Sequence, residues 1–349
     1  MTTKRNHFTT TLKLLTKTFP YLALNAGIYA AFFVASVIWI TVWLALAVLF
    51  AKINGFLALI CIIIAFGVLG GVLRFARRYL LYMVKGGHIA ALTHFLHGRL
   101  VPDGKGQLAY GKEVVQKQFL NMNLLFALDR LIDGTVRAFS NGIIRITDWL
   151  PLPGDAKNVV RWLTQILARS LTYVDEAILS YSIGRSDDNV WGSAQHGIIL
   201  YAQAYKGILV TSLKVWLVGK VFSFLVFLII AMPLALLFAS FVSSGWVTFG
   251  LIIFAILMAM LAERALFEPF AMTYVLVTYH HEIEGLVPDP TWDARLSSVS
   301  RHFRDLAEKA KNFVSGNKGQ PAAAAAAPGA SGVDGGNDVD GGDANVGYP

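Results

Sequence analysis

The chain has 349 residues, of which 55% are hydrophobic and only 15% charged, against roughly 25% charged in an ordinary globular protein. That composition argues against a soluble fold, and the single cysteine, Cys61, excludes an intrachain disulfide and a cysteine-built metal site. The formal net charge of +8 suits nucleic acid or anionic lipid, and because the basic residues flank apolar runs it points to lipid headgroups rather than nucleic acid.

Residues 1–25 are a basic, amphipathic N-terminus in which Lys4, Arg5, Lys13 and Lys17 precede an apolar run. That run exceeds the roughly 7–15 residues of a signal-peptide core, so it is read as a retained anchor. Residues 26–50 carry no charge and are long enough to cross about 30 Å of hydrocarbon. After Ala51-Lys52-Ile53-Asn54 a second apolar run covers 55–73, which makes residues 26–74 a transmembrane hairpin. Gly67 and Gly71 in that run form a G-x-x-x-G, a spacing that lets helix backbones approach closely.

Residues 75–214 are too polar to span and too apolar to be disordered. Over 126–150, Leu128, Leu131, Ile132, Val136, Phe139 and Ile143 recur at steps of mostly three and four, with Asp129, Arg130, Asp133 and Arg137 largely opposite. Residues 158–183 repeat the pattern. Such helices either lie in the headgroup plane or cover one another in a cytoplasmic bundle. Trp149, Trp162 and Trp191 with Arg145, Arg161 and Arg169 favour the interfacial placement.

A second hairpin is expected over 215–262, from spans at 221–242 and 246–262, with a kink at Pro233. Residues 263–314 read as further cytoplasm-side helices, including a charged amphipathic helix over about 291–314. Residues 315–349 are Ala, Gly, Pro and Asp with almost no large apolar side chain, and are expected to be disordered. Lys and Arg gather on one side of both hairpins: Arg74, Arg77, Arg78 and Lys85 after the first, Lys206, Lys214 and Lys220 before the second. The bias places both termini in the cytoplasm and the protein in a cell membrane, the cytoplasmic or inner membrane if bacterial. The expected fold is an all-α, multi-pass membrane protein with two transmembrane helical hairpins and interfacial amphipathic helices.

The two hairpins read as copies of one unit. At an offset of 186, Ala76 aligns with Ala262, Arg78 with Arg264, Leu80 with Leu266 and His94 with His280. Leu100-Val101-Pro102-Asp103 then recurs as Leu286-Val287-Pro288-Asp289. Parallel repeats are one way to build a transporter.

Ionisable groups near membrane depth are candidate pathway residues. Glu263, Arg264 and Glu268 close the fourth apolar run, where they either serve a site or mark the headgroups. Asp175 and Glu176 interrupt an amphipathic helix; adjacent positions lie about 100° apart, so one of the two should face the interior, holding a cation or pairing with Arg169 or Arg185. Arg74, Arg77, Arg78, Arg145, Arg161 and Arg169 are the candidate contacts for anionic lipid headgroups. His88, His94 and His97, or His280, His281, Glu282 and Glu284, invite a metal reading. His-His-Glu-Ile-Glu lacks the second histidine four residues on that a zincin helix requires, so no metal is assigned. No nucleophile motif, Walker loop or dinucleotide fingerprint is present, so neither an enzyme nor a cofactor is expected.

Tyr173 to Tyr181, the turn Ser193-Ala194-Gln195-His196 and Gly219-Lys220-Val221-Phe222 resemble the late region of the choline transporter-like family. The resemblance covers residues 170–310 and departs where Gln195 replaces a basic residue and where the family's external domain and additional spans are missing. It implies a reduced carrier-like core. Two functions are therefore expected: an oligomeric membrane scaffold or assembly component, or a small-solute carrier or channel. A closed, dry bundle favours the first, and a polar path near Pro233, Glu263 and Glu268 favours the second.

Overall fold

The computed structural model describes residues 7–76, 80–99, 101, 105–119, 122–148, 173–185, 189–237 and 245–316. All regular structure among them is helical: α1 (His7–Lys17), α2 (Phe19–Ala51), α3 (Gly55–Ala76), α4 (Tyr82–Leu96), α5 (Gln107–Phe119), α6 (Met122–Asp148), α7 (Val174–Arg185), α8 (Val190–Leu237), α9 (Gly245–Ala262), a π turn (Glu263–Phe267), α10 (Glu268–Glu282), α11 (Pro290–Val299) and α12 (Arg301–Gly316). Of the expected C-terminal tail, Ser315 and Gly316 belong to α12, and residues 317–349 lie outside the described residues.

Three helices are long and apolar enough to cross a membrane, namely α2, α3 and α8, which fits an integral membrane protein. The aliphatic and aromatic side chains they turn outward identify the solvent they need. Val48 is 67% exposed on α2, Phe56 66% on α3 and Ile229 70% on α8. Contiguous apolar surface on that scale has no stable place in water and is at home in hydrocarbon. The short link Lys52-Ile53-Asn54 folds α3 back along α2, with the indole nitrogen of Trp39 donating to the carbonyl of Ala65 at 3.0 Å. Helix α9 packs along α8 in the same way.

Helix α8 has 48 residues, about 70 Å at roughly 1.5 Å rise per residue. Its first half, with Trp191, Ala194, Ile198, Tyr201 and Ile208, is buried in protein, whereas Val221, Phe224, Ile229 and Leu236 in its second half are exposed. One rigid rod therefore joins the apolar hairpin region to a helical bundle with its own core. The helix continues through Pro233, which is exposed.

For α6 the bundle, rather than a headgroup plane, covers the apolar stripe, whereas residues 149–172 of the expected interfacial region lie outside the described residues. On α6, Leu124, Leu125, Leu128 and Ile132 are fully buried and Val136 nearly so, and the helix packs against α7, α8, α11 and α12. Its apolar stripe is covered by helices from the far end of the chain, so it is not left for a headgroup plane. Among the covering side chains are Leu296, Phe303 and Leu306, all fully buried. The amphipathic segment expected over 291–314 is two helices, because the backbone at Ser300 is extended.

Helix ends coincide at the offset of 186. Helices α2 and α8 end at Ala51 and Leu237, α3 and α9 at Ala76 and Ala262, and α4 and α10 match at both ends. The π turn precedes α10, and Leu80 and Leu81 ahead of α4 have π geometry too. Each of α4 and α10 is followed by a glycine with positive φ, Gly98 at 71° and Gly285 at 80°, the usual way to end a helix. The recurring Leu-Val-Pro-Asp has a local purpose in its second copy. Pro290 starts α11, and the Asp289 carboxylate accepts from the Thr291 amide at 2.7 Å, capping the helix. Among the described residues the two stretches differ at Thr18, which breaks the first into α1 and α2, with Pro20 in the first turn of α2, where the second has the unbroken α8.

Candidate functional site: a charged cavity between the apolar hairpins and the bundle

A cavity of about 920 Å³ opens where α2, α4, α6, the π turn and α10 meet. Helix α2 contributes Tyr21, Asn25 and Tyr29, a stripe at steps of four on its first three turns. The Asn25 amide donates to the carbonyl of Ala265 at 3.1 Å, tying α2 to the π turn. Helix α4 contributes Tyr82, Lys85 and His88; α6 contributes Asp129, Arg130 and Asp133; the π turn and α10 contribute Arg264, Glu268 and Met272. Aromatic walls and both signs of charge line one space, the arrangement of a site for a small polar ligand.

Lys85 is its centre. Its ammonium donates to Glu176 Oε1 and lies 4.0 Å from a Glu268 oxygen. The Glu176 side chain is only 6% exposed and that of Lys85 28%, because the lysine opens onto the cavity. Burial on its own lowers the Lys85 pKa, but Glu176, Glu268 and Asp175 outweigh it and raise the value, which keeps the ammonium charged. Asp129 is pushed up to about 7, by burial first and then by the Glu176 charge, with Lys85 opposing. Asp175 is raised well above the usual carboxylate range, again by burial and then by Glu176. The Tyr82 ring stacks on Phe126 at 4.4 Å between centroids. Burial, then Asp129, raises the pKa of its hydroxyl, which stays a neutral donor.

Of the residues singled out in the sequence, the structure brings Glu176, Asp175, Glu268 and Arg264 to this one place. Glu176 is buried and Asp175 half-buried, and neither is among the residues that line the cavity itself. They lie in the first turn of α7, which is packed against α4, α6 and α10. Glu176 pairs with Lys85; Arg185 instead donates to the Tyr181 hydroxyl at 3.2 Å. Glu263 is engaged separately, with Lys220 at 2.7 Å. Pro233 does not line the cavity. Arg74 is exposed at the end of α3. Arg77, Arg78, Arg161 and Arg169 lie outside the described residues, as does the side chain of Arg145.

Sequence reasoning missed Lys85, which it used only as a charge marking the membrane exit. It also missed Asp129, which it placed on the outer face of α6, and the Tyr21-Asn25-Tyr29 stripe. The available signal was Lys85 itself, a lone charge beside Gly86-Gly87-His88-Ile89-Ala90-Ala91, all buried. The histidines considered for a metal have other partners. His88 bonds the Thr18 hydroxyl at 3.0 Å and is held down at about 3 by burial. His94 meets the Tyr110 hydroxyl at 2.7 Å, His97 the Thr93 carbonyl at 2.7 Å and His280 the Ser180 hydroxyl at 2.9 Å. Among the described residues no three metal-ligating side chains converge.

No protein-family model, curated protein or solved structure matches the chain, so what identifies it here is its own geometry: apolar helices fit for a membrane, set over a charged cavity.

Proposed function

We propose that this integral membrane protein belongs to the small-solute carrier or channel class and binds a charged solute in the cavity between its hairpins and its bundle. The observation that supports this reading is the roomy polar lining around Lys85, Glu268 and Arg264. A purely structural bundle has no use for ionisable side chains in such a place, since each costs desolvation. On this reading α9 is the fourth span and pairs with α8 as a second hairpin. The bundle and both termini face the cytoplasm, and Arg74 contacts anionic headgroups.

The test is uptake into liposomes containing the purified protein, with a panel of radiolabelled organic cations, amino acids and inorganic phosphate. One class should enter faster than in protein-free vesicles, and Glu268→Gln should slow it several-fold. Equal entry of every probe with and without protein would reject the reading. The oligomeric scaffold remains a second reading, favoured by the apolar faces of α2 and α3 that the chain leaves uncovered, such as Ile38, Val42 and Ile63. Light scattering of the detergent-solubilised protein after size exclusion tests it, and a monomer would count against it.

A further inference from the structure

The carboxyls of Asp175 and Glu176 pose a hydrogen-bonding problem that the residues around them leave unsolved. Glu176 Oε1 accepts from the Lys85 ammonium, but its other oxygen, Oε2, is buried with no protein donor. Asp175 Oδ1 is likewise buried with no donor. Yet the two carboxyl groups are within side-chain hydrogen-bonding reach of one another. An ionised carboxylate only accepts. Two facing acceptors in a water-poor interior repel, and both leave a lone pair unsatisfied.

The surroundings make the conflict sharper. From α4 the pair faces Lys85 and Tyr82, from α6 Asp129, from α10 Glu268, and from the residue just before α7 the phenol of Tyr173. Asp129, Asp175, Glu176 and Glu268 thus gather round the Lys85 ammonium, with the guanidinium groups of Arg130 and Arg264 lining the cavity beside them.

We propose that Asp175 binds a proton at neutral pH and donates it to Glu176 Oε2, making this pair a proton site beside the charged cavity, joined to it through Lys85. One proton, taken from water, resolves every feature at once. It turns Asp175 into a donor, satisfies the orphaned oxygens of both residues, and leaves Glu176 ionised to receive Lys85. The raised pKa of Asp175 has the direction this requires. Lys85 then links the site to the cavity, because the same ammonium that holds Glu176 lies 4.0 Å from Glu268, which lines the cavity. An ion entering the cavity and drawing Lys85 away would change the charge that the proton feels. The inference goes beyond the solute reading, since it needs only the cluster.

Infrared spectroscopy of the full-length protein in lipid tests it without any solute. A protonated carboxylic acid has a carbonyl stretch above the amide band that moves down in heavy water. Because burial and the Glu176 charge also push Asp129 up, the background is Asp129→Asn. At neutral pH that variant should retain one carboxylic-acid band. Asp175→Asn in the same background should abolish it, and Glu176→Gln should shift it by changing the acceptor. A folded Asp129→Asn protein with no such band, or a band untouched by both further substitutions, would overturn the proposal. Should Asp175→Asn fail to fold, the band of Asp129→Asn and its response to Glu176→Gln still decide the matter. A band without solute uptake would remove the solute reading and keep the proton site; uptake without a band would do the reverse.

Discussion

Lys85→Met removes the ammonium at the centre of the cluster and keeps an apolar stem of similar length. Glu176, with a side chain 6% exposed, then stays behind without its cation. Removing one partner of a buried ion pair costs about 3–5 kcal/mol, because the remaining charge is desolvated and uncompensated. The lysine side chain is 28% exposed to the cavity, so solvent screening moves the cost to the lower end, about 3 kcal/mol. At about 2–4 °C per kcal/mol for a cooperative unit of this size, Tm should fall by roughly 6–12 °C. The eight tryptophans, Trp191 fully buried among them, make intrinsic fluorescence during heating a direct assay in detergent. The second half of the test is Lys85→Met with Glu176→Gln, which removes the stranded charge together with its partner and should recover much of the loss. If Lys85→Met melts with the wild type, or the double variant loses the sum of the two single losses, the pair does not hold α4 to α7 as argued.

Gly111 touches α4 so closely that a Cβ there would lie 2.5 Å from the Gly87 carbonyl oxygen. Gly111→Ala should therefore cost about 1–3 kcal/mol as α5 is pushed away from α4. Gly106→Ala, with nothing within 4 Å, should leave Tm unchanged; equal effects of the two would refute the close approach. Acid should also loosen the bundle. His88 takes a proton in the unfolded chain below about pH 6.5, whereas in the folded protein burial holds its pKa at about 3. The unfolded state binds more protons in that window, so stability falls with falling pH, by up to about 1.4 kcal/mol per unit. Replacing His88 with Gln should reduce that slope, and an unchanged acid titration of Tm would contradict it.

How much of this was legible beforehand differs by length scale. Apolar runs announced α2, α3 and the second half of α8, because a stretch of some twenty uncharged residues needs no partner to be understood. The matching helix ends of the two halves were announced by Arg78 with Arg264 and by Leu-Val-Pro-Asp, because the residues that end and start helices act locally. The placement of the central helices was not legible. The stripe of Leu128 and Ile132 says that something covers it, but Phe303 and Leu306, far along the chain, do so.

The same division holds for the site. Asp175, Glu176, Arg264 and Glu268 stood out as ionisable groups in apolar company, a property each carries in its own neighbourhood. Periodicity placed Asp129 outside and took Lys85 for a boundary marker, since neither role depends on its neighbours in sequence. What this sequence determines alone is membrane residence, helical content and the local signals that begin and end helices. Only the tertiary structure decided that one lysine would meet carboxylates from α7 and α10 beside a cavity, because charges many residues apart interact only after packing removes the water between them.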